Sequence, residues 1–276
     1  MDIKFVVDFY LKNALFDSPH DYADKVVNIA WFYQYDKISI DSITDYCTLR
    51  KLAGVKNSTI NREINLIRSA FNYYLKHHDE ANFKNPFNGF KLFKADFIPR
   101  FLSATECSRL LNATLHYDNY MLHDFILLAL NTGSRSGELL SLTWDNVYFE
   151  DQYFIIRNSL SKNKKTVYKP LNQASMDALH RLKKYHHHWV FYSSRTDTRI
   201  RSFRRGFEYA VERSKIGKVR IHDLRHSFAS FLVKQGIPLY HVSTLLGHSD
   251  VRITQRYAHL APDQLQHVLT SLPSFL

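Results

Sequence analysis

Between residues 85 and 101 the chain reads NPFNGFKLFKADFIPRF, two prolines and a glycine in a stretch without helical or strand periodicity. Proline removes a backbone donor and clashes with the preceding turn, so a regular element does not run through such a segment. The break divides 276 residues into unequal blocks and sets the expected organisation: a domain over 1–88, a linker over 89–100 and a larger domain over 101–276.

Ahead of the break, apolar residues recur at helical spacing in VVDFYLKNAL, DYADKVVNIAWFYQY, IDSITDYCTLRKLA and NSTINREINLIRSAFNYYLKHH. In the last, Ile60, Ile64, Ile67, Ala70, Phe71 and Tyr74 form one stripe, with Ser58 as the expected cap. Arg62, Arg68 and Lys76 lie off the stripe, open to solvent or a polyanion. Beyond the break, Ser103 and Glu106 fit a capping box, followed by helices over MLHDFILLALNTG and SGELLSLTWDNV. DQYFIIRNSLSKNKKTVYKPL reads as an antiparallel hairpin with a Lys-rich turn, ASMDALHRLKKY as a helix and WVFY as a strand. A basic helix near 199–214 precedes a nearly all-helical C-terminal stretch broken at Gly236 and Pro238. The fold class is mainly α (α+β): a helical N-terminal domain and an α-rich domain with a small antiparallel sheet.

The net charge of +11 is unevenly spread: −4 over residues 1–48, +5 over 49–98 and +10 over 99–276. The steepest excess, nine basic against three acidic residues, lies in 195–220. Such a field suits a polyanion, because each neutralised phosphate releases a condensed counterion; a solvated basic surface is the plainer alternative. A hydrophobic content of 45% excludes a disordered chain, and the longest apolar runs are too short to span a bilayer. Cys47 and Cys107 stand sixty residues apart, which suggests neither a zinc knuckle nor a disulfide scaffold. No signal-peptide pattern opens the chain, so a cytoplasmic protein without membrane partners is expected.

Four places concentrate groups that could handle a phosphate. TGSRSGELL puts Arg135 at the start of a helix, where guanidinium and backbone N–H groups can both face an anion; pairing with Glu138 is the alternative. IHDLRHSF sets His222 and Arg225 on one helical face that Asp223 helps cap. His222 and His226 also have the spacing of zinc pairs, but a cation between them and the missing glutamate disfavour a metal. SLSKNKKTVYKPL carries Lys162, Lys164 and Lys165 at the hairpin tip. LLGHSDVRITQRYAHL sets His248 nine residues before Tyr257.

The order Arg, Lys, His-x-x-Arg, Gly-His, Tyr resembles the tyrosine recombinase (phage integrase) family over nearly the whole chain. TGSRSGELLSLTW is similar to the family's first arginine box, and HDLRHSFAS with LLGHSDVRITQRYAHLAPDQL to its second. GVKNSTINREINLIRSAFNYY resembles the helical core DNA-binding domain, with no additional arm-binding domain expected ahead of it. The resemblance implies a site-specific recombinase acting through a 3′-phosphotyrosine, without ATP, metal or cofactor, as a homotetramer on double-stranded DNA sites. Tyr257 would be the nucleophile and Arg135 and Arg225 the clamp on the phosphate. His222 would accept the proton, His248 would bond the phosphate and Lys162 would protonate the leaving oxygen, with Lys164 and Lys165 as alternative registers. Clustered cations are expected to lower the phenol's pKa. Charge alone nominates Lys56, Arg62, Arg204, Arg205 and Lys218 for DNA. The tail PDQLQHVLTSLPSFL offers Leu265, Val268, Leu269 and Leu272 as a face for a neighbouring protomer, and DNA-bending accessory proteins are a further expected partner. The resemblance also implies a bacterial or phage-encoded, nucleoid-associated protein. A type IB topoisomerase-like enzyme, a catalytically silent DNA-binding protein and a His-coordinated metallonuclease are the rival readings.

Overall fold

The computed structural model describes residues 3–14, 31–35, 38–78, 84–94, 100–157, 166–248 and 250–261. The chain forms two compact units, Met1–Ile98 and Pro99–Leu276.

The first unit is built on α1 (Ile3–Asn13), α2 (Ile40–Leu52) and α3 (Asn57–His77). Most of the helix expected over 21–35 lies outside the described residues; Trp31–Gln34 form a 3-10 turn. At the start of α2, Ser39 Oγ accepts from the Ser42 N–H at 3.2 Å and Ser42 Oγ from the Ser39 N–H at 2.8 Å. This answers two of the donors that a helix start leaves open. The expected cap of α3 is displaced: Lys56 is the N-cap, without a side-chain cap bond, and Ser58 stands inside the helix. Its apolar stripe is buried throughout and packs on Ile3, Val6 and Val7 of α1 and on Ile43, Tyr46 and Cys47 of α2.

Residues 84–94 fold back onto this core with Phe87 fully buried. A segment without regular structure needs donors for its carbonyls. Arg68 supplies them, donating from Nε to Phe87 O at 2.9 Å and from Nη2 to Phe90 O at 3.0 Å. Asn61 exchanges two hydrogen bonds with the Phe93 backbone, at 2.7 and 2.9 Å. Arg68 is therefore committed to the fold rather than open to a polyanion, and residues 89–94 of the expected linker pack on the first unit.

In the second unit, the box at the start of α4 (Ala104–Thr114) forms as read, with bonds of 3.2 and 2.8 Å between Ser103 and Glu106. α5 (Met121–Thr132) is mostly buried and stops at Gly133, whose φ is +59°. A Cβ there would stand 2.3 Å from a ring carbon of Phe228, so both conformation and space demand glycine. The short α6 (Ser136–Leu140) follows.

The hairpin is present as β2 (Tyr153–Ile156) and β3 (Val167–Pro170), joined by an additional strand β1 (Val147–Tyr148) in the antiparallel order β1-β2-β3. Phe154 pairs with Lys169 and Ile156 with Val167. α7 (Gln173–Leu182) comes next. WVFY is not a strand as a whole: Trp189 makes an isolated bridge to Thr143, and only Tyr192 enters β4 (Tyr192–Ser193), paired with β5 (Thr198–Arg199). That pairing delays the basic helix, so α8 spans Arg204–Ser214.

α9 (Ile221–Lys234) and α10 (Leu239–Leu246) lead to a 3-10 helix over Val251–Leu260, where ordinary helix was expected. Ala229, Val233, Val242, Leu246 and Tyr257 form a small core of their own, apart from the main cluster around Leu122, Phe125, Leu139 and Phe154. Among the described residues no helix is long and apolar enough to cross a membrane.

Candidate active site

His222, Arg225 and His226 are three and four residues apart on α9 and therefore share one face. Asp223 is at the third position of that helix, and its carboxylate accepts from the Arg220 N–H at 2.8 Å. With Arg135, His248, Ile253, Arg256 and Tyr257, these three side chains line a cleft of about 290 Å³. Five of the six residues expected to be catalytic thus meet in one place. The sixth, Lys162, lies outside the described residues, as do Lys164 and Lys165.

Arg135 is the N-cap of α6. Its Nη1 pairs with Glu138 Oε1 at 2.6 Å and its backbone N–H donates to Glu138 Oε2 at 2.8 Å. The anion-facing Arg and the Glu138-paired Arg anticipated as alternatives therefore coexist. The backbone N–H, however, is spent on Glu138 rather than left for an anion. Arg225 is buried, with Nη1 donating to Gly133 O at 2.8 Å and Nη2 to Leu246 O at 2.7 Å. Both acceptors lie where helices α5 and α10 end, at carbonyls without intrahelical partners and on the negative side of the helix dipole. Burial, and then the charge of Arg135, lower the Arg225 pKa to about 10, which leaves the group charged at neutral pH. Among the described residues, two of its five N–H donors are used in this way.

Lys169, which the sequence reading did not single out, completes this arrangement from β3. It is 1% exposed, and Nζ donates to Thr132 O at 3.2 Å and to Leu245 O. The two cations thus bind four consecutive-pair carbonyls and tie the end of α5, which leads to Arg135, to the end of α10, which leads to His248. Burial first, then Arg225, push the Lys169 pKa down to about 7.

His248 follows Gly247, whose φ is +67° and where a Cβ would meet Val167 of β3 at 2.9 Å. Its Nδ1 is 2.7 Å from the hydroxyl of the buried Thr254. Burial, followed by Arg225 and Arg135, lowers its pKa to about 3, so the ring is neutral. A Thr254 hydroxyl donating to Nδ1 leaves the hydrogen on Nε2, the tautomer able to donate to a phosphate oxygen.

Tyr257 is 2% exposed, and its hydroxyl stands 2.5 Å from Nδ1 of His226. The expected lowering of its pKa is not observed. Burial raises it, because desolvating a phenolate outweighs the opposing pull of Arg256 and Arg225. His222 is exposed, edge-on to His226 with ring centroids 4.8 Å apart, and among the described residues no hydrogen bond joins it to Tyr257. Among the described residues no group of three His, Cys, Asp or Glu is placed to hold a metal ion.

The charge-nominated residues fall elsewhere. Lys56, Arg62, Arg204, Arg205 and Lys218 are all exposed. Arg204 pairs with Glu208 at 2.9 Å, and with Arg205 it borders a broader concavity of about 900 Å³ that Arg195, Arg199 and Arg201 also line. His226, Lys169, Thr254 and Arg256 were not read as site residues. An inward phase on β3 was the available signal for Lys169, and the shared face with His222 was the signal for His226.

Residues 100–264 match the Phage integrase family. The chain is 29% identical over 251 residues to the tyrosine recombinase XerC of Pediococcus pentosaceus, covering 84% of this chain and 80% of that protein. Its fold resembles that of the Tn1549 transposon integrase in complex with a circular intermediate DNA, with a TM-score of 0.80 at 18% identity over 99% of this chain and 100% of that one. It also resembles a lambda integrase tetramer bound to a Holliday junction, with a TM-score of 0.71 at 20% identity over 91% and 78% of the two chains. With the family match spanning more than half of the sequence and every residue of the cleft, the chain belongs to the phage integrase family, the tyrosine recombinases that break and rejoin DNA.

Proposed function

We propose that this chain is a site-specific recombinase that cuts a DNA strand with Tyr257 and conserves the bond as a 3′-phosphotyrosine. The carrying observation is the single cleft that Tyr257 shares with Arg135, Arg225, His222 and His248. A phosphodiester gathers negative charge on its non-bridging oxygens as it is attacked. Guanidiniums bind those oxygens in pairs and stay charged, so Arg135 and Arg225 stabilise the transition state more than the ground state. His248, neutral and anchored by Thr254, donates to the same phosphate. The 5′-oxygen leaves protonated, with Lys162 on the hairpin between β2 and β3 as the acid. Two imidazoles stand by for the phenol's proton: His222 by resemblance and His226 by contact. Because arginines supply the positive charge and the covalent bond retains the phosphodiester's energy, the reaction needs neither ATP nor metal.

DNA is held through basic side chains: Arg204, Arg205 and Lys218 in the second unit, Lys56 and Arg62 in the first. Assembly of four protomers on two duplexes is supported by the likeness to a lambda integrase tetramer on a Holliday junction. The tail after residue 262 is further proposed to seat on a neighbour, and accessory proteins to bend the DNA. The test is a nicked suicide duplex carrying the core site. The wild-type chain is expected to give a denaturation-resistant adduct and Tyr257→Phe none; an equal adduct from that variant refutes the nucleophile. With a second duplex the same assay reads strand exchange, which a chain truncated before residue 263 is expected to lose.

A further inference from the structure

We propose that His226, rather than His222, takes the proton of Tyr257 during strand cleavage and returns it during rejoining. The inference rests on the reading of Tyr257 as nucleophile and assigns a role that the sequence pattern gave to a different histidine. Its ground is contact. Nδ1 of His226 lies 2.5 Å from the Tyr257 hydroxyl, both groups are almost fully buried, and both line the cleft with Arg135 and Arg225. A base must reach the proton it removes before its pKa matters. His222 sits one turn away on the exposed side of His226, with its ring edge-on.

The tautomer is also suitable. A phenol that donates to Nδ1 requires that nitrogen to be unprotonated, so the neutral ring carries its hydrogen on Nε2. Neutrality follows from the surroundings: burial, then His222 and the charges of Arg256 and Arg220, hold the His226 pKa near 4 against the opposing Asp223. Of these groups, His222, Arg220 and Asp223 belong to α9 and Arg256 to the 3-10 helix that carries Tyr257. A phosphodiester in the cleft brings negative charge beside the imidazole, and the transition state brings more. The same step that generates phenolate character therefore makes His226 a stronger base.

The step balances as follows. The Tyr257 O–H bond breaks as Nδ1–H forms, Oη bonds to phosphorus, and the P–O5′ bond breaks with the 5′-oxygen protonated by the general acid. In rejoining, the 5′-hydroxyl loses its proton to that acid's conjugate base, and Oη departs with the proton from Nδ1.

The experiment compares single-turnover cleavage of a suicide duplex by the full-length wild type, His226→Asn, His226→Ala and His222→Ala between pH 6.5 and 9.5. Asparagine keeps a polar atom near Nδ1 that can accept a hydrogen bond but takes no proton, so it separates transfer from positioning. His226→Asn is expected to cleave about 10²–10⁴-fold more slowly at pH 6.5. The deficit should shrink about tenfold per pH unit as hydroxide supplies tyrosinate. A His226→Asn rate within threefold of wild type, or a deficit independent of pH, overturns the assignment; so does a pH-shrinking deficit in His222→Ala alone. A second measurement needs no variant of His226: the ¹⁵N shift of His226 Nδ1 should change between wild type and Tyr257→Phe, and an unchanged shift overturns the contact. Absence of any wild-type adduct would instead overturn the reading of Tyr257, whereas an adduct formed at a rate indifferent to His226 overturns only this inference.

Discussion

In the first unit Glu63 is 1% exposed and is matched on the spot. Tyr46 donates to Oε2 at 2.6 Å, and Arg50 grips both oxygens from Nε at 3.0 Å and Nη2 at 2.5 Å. Anion, cation and hydroxyl close on one another, and α2 is locked to α3. In the second unit Arg225 and Lys169 are as deeply buried, yet both donate to backbone carbonyls. Around them Arg135 adds a third cation, and Glu138 is the carboxylate that offsets all three. A balanced buried charge serves the fold. An unbalanced one suits an anion, and under the proposed function the phosphate of the substrate is that anion.

Breaking the balanced site should cost stability alone. Glu63→Ala removes the carboxylate that the Arg50 guanidinium and the Tyr46 hydroxyl both bond, and removing one partner of a buried pair costs about 3–5 kcal/mol. Chemical denaturation followed by circular dichroism should report that loss, with the cleavage rate of the folded fraction unchanged. A loss below about 1 kcal/mol would show that the pair does not seat α2 on α3. Breaking the unbalanced site should cost chemistry. Arg225→Lys keeps the charge, but its three donors radiate from one nitrogen and lose the planar fork that spans Gly133 O and Leu246 O and can still grip a phosphate in pairs. Cleavage is expected to fall about 10²–10³-fold, or about 2.7–4 kcal/mol of barrier, as for loss of one oxyanion donor. Suicide-substrate cleavage within tenfold of wild type would remove Arg225 from the clamp.

The same contrast marks what could be read from the sequence. That Arg135, His222, Arg225, His248 and Tyr257 share one cleft was legible because order and spacing along the chain carry their pattern. The stripe of α3 was legible because burial follows helical period. Glu63 was not, since a carboxylate inside that stripe declares itself only when Arg50 arrives from another helix. Arg68 looked free for a similar reason, because its acceptors are carbonyls of a segment nineteen to twenty-two residues away. The environment of Tyr257 was misjudged by counting cations without burial, which dominates its pKa. His226 drew notice only for the spacing of a metal pair, a reading disfavoured at once, as helical spacing says which residues share a face but not that a 3-10 helix delivers a tyrosine to it.

Lys169 offers the finest probe of the imbalance, through pH. Its pKa in the folded chain is about 7, against about 10.5 for an unperturbed lysine. Between those values the unfolded chain holds a proton that the folded chain has released, so stability rises with pH across that window. Below pH 7 both states are protonated and the full cost of the buried charge is present. Lys169→Met removes the titration but keeps most of the side-chain volume. Its unfolding free energy relative to wild type should therefore fall by up to about 1.4 kcal/mol per pH unit between pH 7.5 and 8.5. Cysteine and tyrosine titrations at higher pH are common to both proteins and cancel in the difference. A difference that does not change with pH would mean that Lys169 keeps its proton in the folded state, stabilised by the Thr132 and Leu245 carbonyls and by Glu138. The surplus of buried charge in the second unit would then be permanent rather than adjustable before the phosphate arrives.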